Sequence, residues 1–347
     1  MGNVFWGKEM STQLIYYTPQ WHSQLLAYMQ LVYPHRDINY LNWWLNNIDQ
    51  CGQNCWDKCL LIIDNDAIIG CTTANQTKII SHNNITELFY FRGNTIISPN
   101  QRGKGISKKI YFSVNAYNNW ISVGVTDIAW KIQPKYVKDF TPIRAINIYI
   151  GINTRVFLQL LRKVFRVSNS SKLDIIFPEK QIINSKDVFL RIDKLSDFFS
   201  PANGHWTSDS LEIVRDKEFI KKRFLDIYCA ERYGLYQYIS GGKCMGYVVI
   251  RKTIYKGLEM ISLVDYRFCS RKDELKAFKV ASMIARINHI GFVISFSSRK
   301  YGSRIKPFII ERRKKLNCAT GYKEYIDKFN DVLFTSADSD LDFVYYK

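Results

Sequence analysis

The sequence predicts an α+β protein, a mixed α/β chain built as two tandem halves. Three observations point there. Amphipathic helical segments alternate with short apolar runs closed by polar turns. The order helix, hairpin, strand, helix, strand occurs twice. The length, 347 residues, suits two compact domains, each large enough to bury its own core.

In the first half, Ile38, Leu41, Trp44, Leu45 and Ile48 recur at helical spacing, so residues 36–49 read as a helix. Leu60 to Ile63, the polar Asp64-Asn65-Asp66 and Ala67 to Gly70 read as a hairpin. A strand follows over 72–80, and another apolar run spans 86–98 up to Pro99. Residues 105–118 form a helix with Ile106, Ile110, Tyr111, Val114 and Tyr117 on one side. A strand over 120–125 and a short helix over 127–132, broken by Pro134, complete this half.

The second half repeats the order. Arg36-Asp37 matches Arg215-Asp216, and Tyr40-Leu41 matches Phe219-Ile220, about 170–180 residues apart. A hairpin over 236–250, a strand over 258–268, a helix over 273–288 and a strand over 291–296 follow. Similarity at this spacing predicts duplicated domains, 1–168 and 169–347, with the polar stretch 166–172 as linker.

The net charge of +18 admits polyanionic partners: nucleic acid, anionic lipid or phosphorylated cofactors. The cations are dispersed, and only Arg312-Arg313-Lys314-Lys315 forms a tight block. No apolar run reaches membrane-spanning length and no secretory pattern opens the chain. Trp6 stands where myristoylation after Met-Gly wants Ser or Thr. The expectation is a cytoplasmic protein with no membrane partner. Eight cysteines over this length make no disulfide framework. Cys51, Cys55 and Cys59 share one helical face by spacing, but a closed zinc site wants four ligands, so no metal is expected.

The chemistry-bearing stretch is Ser98 to Lys109, two glycines among cations between a strand and a helix. It reads either as a basic turn or as a cradle for a phosphorylated ligand. Gly103 and Gly105 permit left-handed backbone and close approach of a ligand. The helix N-terminus and successive N–H groups favour an anion, and Arg102, Lys104 and Lys108 add charge. Neither the Walker A spacing nor the third glycine of the dinucleotide fingerprint is present. The second copy has no glycine here and carries Asp273 and Glu274 instead.

In this context Arg102-Gly103-Lys104-Gly105-Ile106-Ser107, preceded by Pro99, resembles the glycine-loop motif of the GNAT acyltransferase superfamily, Arg/Gln-x-x-Gly-x-Gly/Ala. Ser107 departs from the last position but is still small. The resemblance spans roughly residues 10–165, with a fainter echo lacking the motif over 205–300, as in tandem members with one degenerate half. It implies two GNAT-like domains, each a central, mostly antiparallel twisted sheet flanked by helices. It implies acetyl-CoA, or another acyl-CoA, with its diphosphate on Arg102 to Ser107 near Lys108. The pantetheine arm would pair with the strand ending at Ile96, Ile97 and Ser98. The activity implied is direct transfer of an acyl group to an amine, less readily to a hydroxyl.

For the proton transfers, the resemblance implies a general-base carboxylate on the strand before the loop, sometimes acting through water, and Glu87 is the one acidic residue between Asp66 and Asp127. The family's usual tyrosine falls on Gln133, and Tyr136 is the nearest substitute. Asn94 is a candidate acceptor contact, or a strand bulge beside Gly93. His22 and His35 lie in the N-terminal region that often covers the acceptor site in the family and read as surface or capped histidines or as proton shuttles. Trp43, Trp44 and Trp56 read as core packing or as a stacking platform. The acceptor, a small-molecule, sugar or peptide amine, and the oligomeric state stay open. So do two other readings: an aminoacyl-tRNA-dependent Fem-type transferase, which the charge favours, and a non-catalytic CoA- or nucleic-acid-binding module.

Overall fold

The computed structural model describes residues 12–34, 36–46, 59–80, 86–115, 119–164, 175–198, 211–255, 258–301, 309–322, 329 and 332–338. His35, Cys51, Cys55, Trp56, Tyr117 and the expected linker lie outside these residues.

In chain order the strands are β1 (Gln13–Tyr16), β2 (Leu60–Asp64), β3 (Ala67–Ile80), β4 (Thr86–Ile97), β5 (Trp120–Val125), β6 (Thr141–Ile152) and β7 (Lys180–Ile182). They continue as β8 (Asp187–Arg191), β9 (Glu212–Ile213), β10 (Tyr233–Ser240), β11 (Lys243–Tyr255), β12 (Leu258–Phe268), β13 (Phe292–Ser297) and β14 (Ile309–Thr320). The α-helices are α1 (His22–Val32), α2 (Ile38–Asn46), α3 (Ile106–Val114), α4 (Asp127–Tyr136), α5 (Val156–Val164), α6 (Lys217–Ile220) and α7 (Glu274–Ile287).

All fourteen strands join one sheet in the order β1-β2-β3-β4-β5-β14-β6-β13-β12-β11-β10-β8-β7, with β9 on β3. Among the described residues only β4 with β5 and β12 with β13 pair in parallel. The hairpins form where turn chemistry demands them. Asn65 and Asp66, with φ of 48° and 59°, turn β2 into β3, and Gly241 and Gly242, with φ of 56° and 79°, turn β10 into β11.

The middle of the sheet is where the two halves exchange strands. β6, from the first half, pairs with β13 of the second, Asn147 opposite Ser297. β14, from the second half, pairs with β5, Asn317 opposite Val125. β6 and β14 then pair with each other. One apolar cluster therefore draws Ile121, Ile146 and Ile148 together with Ile294, Phe296 and Cys318. Full burial of each large side chain is worth roughly 1.5–3 kcal/mol.

Several expected elements change in detail. The second hairpin strand and the strand after it are one continuous β3. Gly70 does not break it; a Cβ there would stand 2.7 Å from Ile97 Cδ1, so the glycine lets β4 pack close. α4 continues through Pro134 to Tyr136, because Thr126 caps its start and Val137 N–H closes the last turn on Gln133 C=O at 2.8 Å. The helix over 215–225, which the match to residues 36–45 implies, is regular only over α6 and then passes into a π turn, Lys221–Leu225. Cys59 directly precedes β2 rather than sitting on a helix, its thiol 3.5 Å from Ala74 C=O.

Candidate functional site

Parallel pairing between β4 and β5 ends at Arg92 opposite Ser122. Beyond that point β4 stays bonded to β3, Ile96 opposite Cys71, and β5 stays bonded to β14, Val123 opposite Cys318. The strands diverge, and a wedge opens with ladder bonds on its outer sides only. Backbone groups lining such a gap are ready partners for an extended ligand. Ile96 and Ile97 lie on one wall, and Ser98 follows them at its end.

The glycine loop closes this wall. Gly103 and Gly105 take φ of 81° and 75°, and an added Cβ at either meets no atom within 4 Å. The glycines therefore serve conformation and access rather than tight packing. Gly105 in the left-handed region directly precedes α3; Lys108 N–H donates to Gly105 C=O at 3.0 Å, while Ile106 and Ser107, ahead of it, have no carbonyl four residues back within the helix. Arg102 is braced by donating from Nε to Ile97 C=O at 3.2 Å, and Lys104 Nζ donates to Gln101 Oε1 at 3.0 Å. Lys108, in the first turn of α3, stands 5.5 Å from the Phe112 ring. Three cations and a helix N-terminus thus surround an open, strand-to-helix turn.

Asn94 sits in an irregular stretch of β4, with φ of 49°, where the pairing with β3 shifts register. Its side-chain carbonyl accepts from Arg36 Nη1 at 3.2 Å. The second half repeats this relationship: Arg215 Nε donates to Asp265 Oδ2 at 2.9 Å, next to the bulge of β12. The aspartates following these arginines both cap helices, Asp37 accepting from Asn39 N–H and Asp216 from Phe219 N–H. The Arg-Asp pair visible twice in sequence does the same two jobs twice.

The second wedge, between β12 and β13, is filled by the protein itself. Residues 332–338 run into it: Ser298 N–H donates to Phe334 C=O at 3.1 Å, and Thr335 Oγ1 donates to Asp265 Oδ1 at 2.7 Å. Tyr301 donates to Glu274 at 2.9 Å, so an acid stands in the first turn of α7, the place that Ile106 takes at the start of α3 in the first half. Around them Arg215, Arg267 and Arg299 interleave with Glu212, Asp265, Glu274 and Asp338, all buried. Arg215 also bridges directly to Asp338. Burial pushes the Glu212 carboxyl up to about 7, with Arg267 and Arg299 pulling against it.

A cleft opens from the first wedge. Gly93, Asn94 and Val123 line it from the sheet, Trp43 and Trp44 from α2, Phe219 from α6 and Arg223 from the π turn that follows. Ala337 and Asp338 reach it from the segment that plugs the second wedge, so both halves build this cleft.

The nominated proton-transfer groups stand apart. Glu87 accepts from Tyr322 Oη at 2.9 Å near the start of β4, seven residues and about 23 Å of strand from Asn94. Tyr136 packs edge-on to Phe112, with ring centroids 5.6 Å apart and Lys108 Nζ 5.6 Å from its ring. Gln133 is buried beside the phenol of Tyr111, which burial pushes up and which Arg92 and Gln133 pull back down. Both ring nitrogens of His22 are engaged, by Tyr17 Oη at 2.9 Å and Asn42 Oδ1 at 3.0 Å. Tyr28, which periodicity alone did not single out, joins α1 to this site: it donates to Ile69 C=O at 3.1 Å and accepts from Ser98 Oγ at 3.3 Å.

No family model matches the chain, and no curated protein matches it in sequence. Solved structures do match it over most of its length. A GCN5-related N-acetyltransferase from Anabaena variabilis aligns with a TM-score of 0.55 and 11% identity, over 89% of this chain and 72% of that one. A probable N-acyltransferase from Enterococcus faecalis gives 0.55 and 10%, over 89% and 72%. The chain has the GNAT fold. Saccharomyces cerevisiae N-myristoyltransferase with bound myristoyl-CoA also aligns, with a TM-score of 0.52 and 11% identity, over 90% of this chain and 83% of that one. The mixed α/β class and the mostly antiparallel sheet flanked by helices are as the sequence predicted, while the two expected sheets are joined into one.

Proposed function

We propose that the chain is an acyl-CoA-dependent N-acyltransferase acting in its first half. The observation that carries this reading is the open wedge between β4 and β5 ending in the glycine loop at α3. Ile96, Ile97 and Ser98 would pair with the pantetheine arm, and Arg102 to Lys108 would hold the diphosphate through backbone N–H groups and cations. The thioester carbonyl would lie at the irregular stretch around Asn94, where backbone N–H groups facing the wedge would favour the developing oxyanion. The amine nitrogen attacks that carbonyl carbon, the carbon–sulfur bond breaks, and CoA leaves as a thiolate. The proton lost by nitrogen ends on sulfur, directly or through solvent. The structural neighbours, acetyl-, probable acyl- and myristoyl-transferases in name, support an acyl-CoA co-substrate; acetyl is the acyl group we favour.

In the same reading, residues 1–168 are the catalytic GNAT unit and 169–347 a degenerate one. The repeated Arg-Asp pair and the two parallel strand pairs support duplication. Glu87 and Tyr136 stay nominated for the proton transfers, with Asn94 for the acceptor. Since Glu87 lies far along β4, the amine's proton would reach it or solvent only through water. Since Gln133 stands where the family has its tyrosine acid, the thiolate, an acceptable leaving group, would depart without a fixed acid. The acceptor, a small-molecule, sugar or peptide amine, would enter by the cleft between Trp43 and Phe219.

The test is thermal unfolding with and without acetyl-CoA. At a hundredfold excess over Kd, binding to the folded state alone adds about 2.7 kcal/mol. Gly105→Glu, which places a carboxylate in the cradle, should abolish the shift while leaving the apo melting temperature within a few degrees. No shift with any CoA ester sinks the proposal.

A further inference from the structure

The tightest basic block of the sequence, Arg312 to Lys315, has no part in the acyl-CoA reading. Its place in the fold is specific. β14 pairs Arg312 with Ile148 and then Leu316 with Ile146, so Arg313, Lys314 and Lys315 stand opposite the single residue Asn147. Two extra residues on one strand force the chain to bulge at the seam where the halves exchange strands. There Lys315 lines an open bowl together with Arg144 of β6 and Lys300, three residues beyond β13. Lys300 and Lys315 are exposed and Arg144 is half-buried. Among the described residues, no acid and no aromatic ring lines the bowl.

We propose that this bowl is a docking site for the phosphate backbone of a nucleic acid. Three cations from separate elements converge on one open surface, and each phosphate bound there releases counterions. The lysines lie in solvent rather than in a closed pocket, which suits a string of phosphates more than one small anion. The lack of aromatic lining means bases are not stacked, so binding will be largely independent of sequence. The chain's net charge of +18 supplies long-range attraction toward such a partner. β5 lies between β14 and β4 with its glycine loop, so this site is distinct from the one proposed for acyl-CoA.

The experiment measures fluorescence anisotropy of a short labelled single-stranded RNA and a DNA duplex of equal length, across a salt series, with the full chain. Lys300→Glu/Lys315→Glu is compared with a control of equal charge change, Lys186→Glu/Lys243→Glu, on exposed residues elsewhere. The seam variant should weaken binding at least tenfold and lower the salt slope by about two, one for each phosphate no longer neutralised. The control should change Kd less than threefold. Preference between RNA and DNA then identifies the source of the phosphates. The proposal is overturned if neither nucleic acid binds at low salt, or if both variants weaken binding equally, since net charge alone then accounts for it. It is also overturned if vesicles containing phosphatidylserine bind through these lysines while nucleic acid does not. The acetyl-CoA thermal shift must persist in the seam variant; its loss would assign the bowl to the cofactor instead.

Discussion

Arg36 Nη1 donates to Asn94 Oδ1 across 3.2 Å and so ties the segment before α2 to the irregular stretch of β4. The same guanidinium lies over the Tyr33 ring, 4.1 Å from its centroid, which fixes its direction. That stretch is where the wedge begins, and Asn94 carries its left-handed backbone. Arg36→Ala should cost about 1 kcal/mol of stability, the usual worth of one such bond. Its larger effect should be on transfer: kcat for acyl transfer falls while the acetyl-CoA thermal shift is retained. Steady-state CoA release beside a melting curve checks both. An unchanged kcat would free this stretch from any role in positioning.

Gly105 occupies φ of 75° with open space where a Cβ would go. An alanine meets no clash, only the left-handed penalty of roughly 1–2 kcal/mol. Asparagine tolerates that region better than alanine. Gly105→Asn should therefore melt above Gly105→Ala, although both should bind CoA more weakly than the parent. Melting temperature and CoA titration of the two variants separate backbone strain from blocked access. Equal CoA affinity in all three proteins would show that no ligand approaches this backbone.

Glu212 is wholly buried between Arg267 and Arg299, and its carboxyl is pushed up to about 7 by burial. A folded-state value above the unfolded one means the folded protein holds the proton more tightly. Its stabilising contribution is complete below about 4.5 and is lost as pH rises through about 7. The shift corresponds to at most about 3 kcal/mol. Stability by urea denaturation should fall between pH 5 and 8, and Glu212→Gln should flatten that fall. Burial also pushes Glu274 up, so a smaller slope of the same sign should remain. A variant with the parent's full slope would place the titration elsewhere.

The exchange of β6 and β14 makes the proposed domain boundary a poor place to cut. A chain ending at 168 lacks the strand between β5 and β6, and a chain starting at 169 lacks the strand between β14 and β13. Each piece alone would expose edges and the apolar cluster around Ile146 and Phe296. Residues 1–168 and 169–347 should aggregate when expressed singly and form a soluble 1:1 complex when coexpressed. Size exclusion with circular dichroism reads the outcome. A soluble, cooperatively melting single half would refute the dependence.

Local chemistry made much of this protein legible in sequence. Asn65-Asp66 and Gly241-Gly242 turns, the apolar spacing of α2, α3 and α7, and the glycine loop each depend on neighbours within a few residues. So did the doubled Arg-Asp pair, whose caps are three residues away or closer. Pro134 misled because its missing N–H costs only one bond, and the helix goes on to close its last turn through Val137 N–H on Gln133 C=O. What only the tertiary structure decided were pairings between distant segments: β14 entering between β5 and β6, Arg36 reaching Asn94, and residues 332–338 filling the second wedge while the first stays open. Backbone ladders of this kind carry no side-chain signature, since any non-proline residue offers the same N–H and C=O. The sequence by itself determined a basic glycine loop between a strand and a helix, and the assembled sheet decided that, among the described residues, one of two similar wedges is filled by the chain while the other stays open.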